Sequence, residues 1–204
     1  MIHLPKRNII TNNQIIDITN IKYKQYEHSL KPNGLWYSLY SSWFNHIVNQ
    51  DMDYKIKDYI HKIELNQNIF TNLQNPDSNK ILQIKTLDDV AVFIIKYKII
   101  ETKRIKIDPN SKIYMNYTII DWEKVAKDYG GIEFYPYIKY SSLFFNKKHL
   151  EIYIWYNTID VSSGCIWNTK SIIQTIKLIY KLNRYKSRSD LYLLSLYMTT
   201  SYIN

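Results

Sequence analysis

Only four glycines, Gly34, Gly130, Gly131 and Gly164, serve a chain of 204 residues. Glycine is the residue that permits a positive φ or lets two backbones approach closely. Where it is this scarce, its positions mark the places at which the fold has no alternative. They fall in three segments: Pro32-Asn33-Gly34, Gly130-Gly131-Ile132-Glu133 and Ser162-Ser163-Gly164-Cys165-Ile166-Trp167.

The first of these opens the most distinctive stretch, His28 to His46, which holds two of the five tryptophans. Pro32-Asn33-Gly34 has turn chemistry. Leu35-Trp36-Tyr37-Ser38-Leu39 predicts a short aromatic strand. Ser41-Ser42 then caps a helix carrying Trp43, Phe44, Ile47 and Val48 at helical spacing. A turn and strand end of this kind are common places to present side chains to a ligand.

The rest of the chain predicts an α+β fold: a single domain with a mixed or antiparallel sheet, open to being split, and flanking helices, because regular β-α alternation is absent. Residues 1–13 read as a loose lead-in, 14–183 as the domain and 184–204 as a helical tail. Gln14 to Tyr26 and Tyr54 to Leu65 predict strands, Asn66 to Asn79 a surface loop and Lys80 to Lys85 a strand. Thr86 begins a capping box for a helix with Val90, Phe93, Ile94 and Tyr97 on one face. Glu101 to Lys112 reads as a charged loop. Asp121 caps a helix that Gly130-Gly131 ends, with a strand following at Ile132. Leu150 to Tyr156 reads as a strand. Asn168 or Thr169 opens a helix with Ile172, Ile173, Ile176, Ile179 and Tyr180 on one stripe.

The net charge of +9 favours anionic partners. Lysine is spread along the chain, however, and its Asn-, Ile-, Lys- and Tyr-rich composition is what A+T-rich codons supply. The single cysteine, Cys165, excludes an intramolecular disulfide and a cysteine zinc cluster, which fits a reducing, intracellular compartment. No metal-ligand spacing links the histidines. Met1 to Ile10 has no signal-peptide pattern, and no run approaches the roughly 18 apolar residues of a membrane span.

The motif P-N-G-L-W-Y-S-L-Y-S-S-W-F-N-H resembles the second motif of ADP-ribosyltransferases of the poly(ADP-ribose) polymerase type. The resemblance implies a split antiparallel sheet with a cleft that takes NAD as substrate and needs no metal. It implies catalytic roles for Glu133, at the ribose 2′-hydroxyl, and for His28, on the NAD ribose. Gly34, Trp36, Tyr37 and Ser38 would bind the cofactor, with Trp36 or Tyr37 stacking on nicotinamide. Trp36 stands where the family has its tyrosine. P-x-G-L-W-Y-S, G-I-E and S-G-C-I-W also resemble segments of phage and large-virus proteins, a likeness that implies no activity.

Each assignment has a structural alternative. Tryptophans pack cores, a strand glutamate forms ion pairs, and Cys165 fits a small buried thiol. Two functions from different classes therefore stand side by side: an ADP-ribosyltransferase-like NAD-binding protein, and a basic, tyrosine-rich viral-type protein that engages nucleic acid or a host protein. A degenerate enzyme fold kept as a scaffold is a third.

Overall fold

The computed structural model describes residues 5–17, 22–26, 29–50, 58–106, 114–138 and 154–181. They form one α+β domain around an open, mixed sheet of eight strands. The strands are β1 (Arg7–Thr11), β2 (Leu35–Leu39), β3 (Tyr59–Leu65), β4 (Phe70–Thr71), β5 (Asp77–Ile84), β8 (Tyr129–Phe134), β9 (Ser163–Ile166) and β10 (Ile173–Lys181). Their order is β10-β3-β1-β2-β9-β8-β5-β4. Pairing is antiparallel from β10 to β8 and parallel among β8, β5 and β4. β6 (Lys98–Lys106) and β7 (Tyr114–Ile120) pair as a separate two-stranded ribbon. Four helices accompany the sheet: α1 (Ser42–Asn49), α2 (Leu87–Tyr97), α3 (Trp122–Asp128) and α4 (Thr169–Ile172).

The helices form where capping and apolar period agree. Thr86 Oγ1 accepts from Asp89 N at 3.1 Å, and Asp89 accepts from the Thr86 backbone at 2.9 Å, completing the capping box of α2. Val90, Phe93, Ile94 and Tyr97 are buried, as their spacing predicts. Asp121 caps α3 through Lys124 N at 2.8 Å. With Trp122, Phe134, Trp155, Tyr156 and Trp167 these residues make an aromatic core on one face of the sheet. The Phe93 and Trp155 rings are 5.4 Å apart and Trp122 meets Trp155 edge-on at 6.0 Å. The other face is aliphatic: Ile9, Leu39, Ile63, Ile69, Ile81, Ile166 and Ile172 surround Tyr37.

Several expectations are corrected. The segment read as a loose lead-in supplies β1, in the middle of the sheet. The long helix expected after Asn168 is one turn, α4, followed by strand β10. The β-branched Ile173, Thr175, Ile176 and Ile179 suit a pleated surface, and pairing with β3 outweighs the helical spacing. The charged loop from Glu101 begins inside β6. The Asn-rich loop contains β4 and the start of β5. The described part of Leu150 to Tyr156 enters a 3₁₀ turn, Ile154–Thr158. Between Gln14 and Tyr26 the described residues form no strand, only a bridge from Lys22 to Asn168. The tail at 184–204 and His28 lie outside the described residues.

The glycines divide unexpectedly. None has a positive φ; that conformation falls instead on Tyr40 and Asn68. Gly130 and Gly131 lie inside β8 and do not end α3. What all four share is crowding: at Gly164 an added Cβ would stand 2.3 Å from the Tyr37 ring. Gly164→Ala is therefore expected to cost about 1–3 kcal/mol of stability. Adding Tyr37→Ala should make the alanine tolerable, so a double-mutant cycle by urea unfolding should show strong coupling.

Candidate functional site

The sheet carries two neighbouring arrangements on opposite faces. On the aliphatic face, strand register aligns Gln83 with Glu133, Glu133 with Gly164 and Gly164 with Tyr37. Because Gly164 has no side chain, Tyr37 reaches over it, and its hydroxyl donates to Glu133 Oε2 at 2.8 Å. Arg7 comes from β1 and closes the cluster: Nε donates to Oε2 at 2.7 Å and Nη2 to Oε1 at 3.1 Å. Gln83 Nε2 adds a fourth donor to Oε1 at 2.9 Å. The Glu133 side chain is 0% exposed and that of Arg7 5%.

This is a bidentate, charge-assisted pair in an apolar setting. Arg7 also lies 4.7 Å from the centre of the Phe70 ring and donates to Pro5 O at 3.0 Å. Burial opposes the guanidinium's charge, but hydrogen bonding and attraction to Glu133 outweigh it and hold its pKa above the ordinary value. Burial, reinforced by the Glu133 charge, pushes the Tyr37 phenol well up, so it donates and does not ionise.

On the aromatic face a cavity of about 440 Å³ opens beside β1, β2 and β9. Trp36 and Trp43 provide indole walls, and Ile10, Ile159 and Val161 add apolar surface. Asn8, Ser38 and Ser163, all buried, supply polar groups. Ser42 Oγ donates to Ser162 O at 2.8 Å and ties down the start of α1, which brings Trp43 into the lining, its ring stacked on His46 at 5.6 Å. Trp36 Nε1 donates to Pro32 O at 3.2 Å. At the mouth, Lys31 and Asp160 are 3.9 Å apart, with side chains 44% and 39% exposed.

The expected site residues are therefore distributed unevenly. Trp36 and Ser38 line the cavity, and Tyr37 borders it while turning its hydroxyl to Glu133 on the other face. Glu133 does not line the cavity and meets its lining through Tyr37. Gly34 is off the cavity, wedged where a Cβ would meet Ile166 O at 2.6 Å and Cys165 Sγ at 2.7 Å. Cys165 is buried, and burial pushes its thiol well up, which does not suit a nucleophile. Sequence reasoning missed Arg7, Gln83, Asn8, Lys31, Trp43 and Asp160. A weak signal for Arg7 existed in its two-residue spacing from Ile9. Among the described residues no group of three or more His, Cys, Asp or Glu is placed to hold a metal ion. No described helix is long and apolar enough to cross a membrane.

Comparison of the chain with protein-family models, with curated proteins and with solved structures gives no match.

Two outcomes follow from the buried cluster. Glu133→Gln strands the Arg7 charge and should cost about 3–5 kcal/mol, whereas Arg7→Met combined with Glu133→Gln should cost less than Glu133→Gln alone, as read from urea unfolding. The folded-state pKa of Tyr37 lies above the ordinary 10.0, so the folded chain keeps a proton that the unfolded chain releases. Tyr97, Tyr156 and Cys165 shift the same way, burial being the first cause in each. The melting temperature should thus hold below about pH 9 and fall steadily above about pH 10, with the tyrosinate absorbance of the buried phenols appearing together with unfolding.

Proposed function

We propose that the protein binds a nucleotide of the NAD type and seats its planar base in the cavity against Trp36 and Trp43. The observation that carries this reading is the convergence of Trp36, Ser38 and Trp43 on one cavity of about 440 Å³. That volume lies within the roughly 300–1,000 Å³ of small-molecule sites, and its apolar walls with a few polar groups have their usual composition. Indole faces stack on any planar heterocycle, and Asn8, Ser38 and Ser163 supply groups to orient it.

The ligand then lies on the face of the sheet opposite the Glu133 carboxylate, whose two oxygens already accept four protein donors. The reading rests on binding. ADP-ribosyl transfer, which the resemblance adds, would draw its polar groups from the cavity lining. For the same reason Glu133→Gln is a poor activity control, since its first effect is on folding.

Titration with NAD should quench part of the tryptophan fluorescence and raise the melting temperature. Trp43→Ala should weaken binding roughly tenfold or more while leaving the fold intact by circular dichroism. No quenching and no thermal shift at millimolar NAD would sink the proposal. Nicotinamide release and protein mass, followed in the same samples, test transfer. Oligonucleotide binding that falls steeply with salt, with no response to NAD, would instead support the nucleic-acid reading that the +9 charge raises.

A further inference from the structure

We propose that Asp160 reads the sugar of the bound ligand, accepting hydrogen bonds from the vicinal hydroxyls of a ribosyl group. The inference rests on the nucleotide reading above and deepens it. Among the described residues Asp160 is the one acid lining the cavity, and Lys31 the one cation. Both side chains line the same cavity as Trp36 and Trp43 and are its exposed charged groups, so a sugar attached to a base in that cavity is within their reach.

The buried Glu133 carboxylate and the exposed Asp160 carboxylate contrast sharply. Glu133 accepts four hydrogen bonds of 3.1 Å or less. Asp160 forms one ion pair among the described residues, to Lys31 at 3.9 Å, the outer limit of such a contact, and its charge acts on the Tyr137 phenol. Its lone pairs remain open to donors. A carboxylate has no proton to give at neutral pH, so it selects hydroxyls and repels phosphate. Lys31, 5.7 Å from the centre of the Trp36 ring, has the opposite preference. The mouth thereby separates the two polar parts of a nucleotide, diol to Asp160 and phosphate to Lys31.

The loop that presents Asp160 is fixed on both sides. Ile159 is buried and its N–H donates to Tyr156 O at 2.8 Å. On the far side Ser162 O accepts from Leu39 N at 3.1 Å and from Ser42 Oγ at 2.8 Å. A short, doubly anchored loop holds its carboxylate ready, and little ordering is left for the ligand to impose.

The test is titration of adenosine and nicotinamide riboside, each beside its 2′,3′-dideoxy form, on the wild-type chain, Asp160→Asn and Lys31→Met. The wild type should bind the hydroxylated form of the better nucleoside about tenfold or more tightly than its dideoxy form. Asp160→Asn should bring that ratio close to one with an unchanged melting temperature, because Asp160 is exposed. Lys31→Met should keep the ratio and, in a parallel titration of adenosine 5′-monophosphate, weaken that nucleotide alone. A wild-type ratio near one, a ratio that survives Asp160→Asn, or its loss in Lys31→Met would each overturn the inference. Absence of binding by all four nucleosides would instead overturn the cavity reading, and this inference with it.

Discussion

The fold depends on how one carboxylate is kept inside it. Glu133 is charged, fully buried and set among isoleucines, a position that is costly unless the charge is matched and every lone pair is used. Four strands contribute to that end: Arg7 from β1, Tyr37 from β2, the empty space above Gly164 in β9 and Gln83 from β5. A slip of one residue in any of these strands would send its contributor to the other face and leave the carboxylate without a partner. The aliphatic residues around the cluster tolerate many arrangements; the polar row tolerates one. That is a reason to see it as fixing register rather than as a large source of stability.

The same row also makes the cavity. Alternation along β2 assigns Tyr37 to the buried cluster, and so Trp36 and Ser38 to the opposite face. Asn8 follows Arg7 in β1 and turns with them, its side chain donating to Tyr40 O at 2.9 Å. The Arg7–Glu133 pair thus holds in place the strands from which the cavity is built, without lining it. A substitution in the pair would disturb the cavity through the backbone.

What was legible in the sequence follows the range of the interactions. Local chemistry was readable: the Thr86 capping box, the Asp121 cap, the apolar stripe of α2 and the aromatic strand β2 all formed as their residues imply. Long-range pairing was not. Arg7 lies in a polar-looking segment, and nothing within ten residues of it announces a partner 126 positions away. The isoleucines after Asn168 satisfy helical and strand periods alike, and only the free edge of β3 decides between them. Glycine scarcity did mark real constraints, at Gly164 above all, though the cause was crowding and not backbone conformation. Asp160 sits in an ordinary Thr-Ile-Asp-Val turn, and its interest arises only once the fold brings Trp36 beside it.

The position of β1 has a kinetic consequence. It lies between β2 and β3, and its arginine is satisfied only when β8 and β9 are in place. No run of consecutive hairpins builds this sheet; its centre is closed by contacts between segments far apart in the chain. Such contacts demand loop-closure entropy before they return any stabilisation, which slows folding. Until then an early strand with a basic side chain and a run of isoleucine waits unpaired. The charge at Arg7, a disadvantage inside the finished core, is of the kind that opposes pairing of such a strand with another copy of itself.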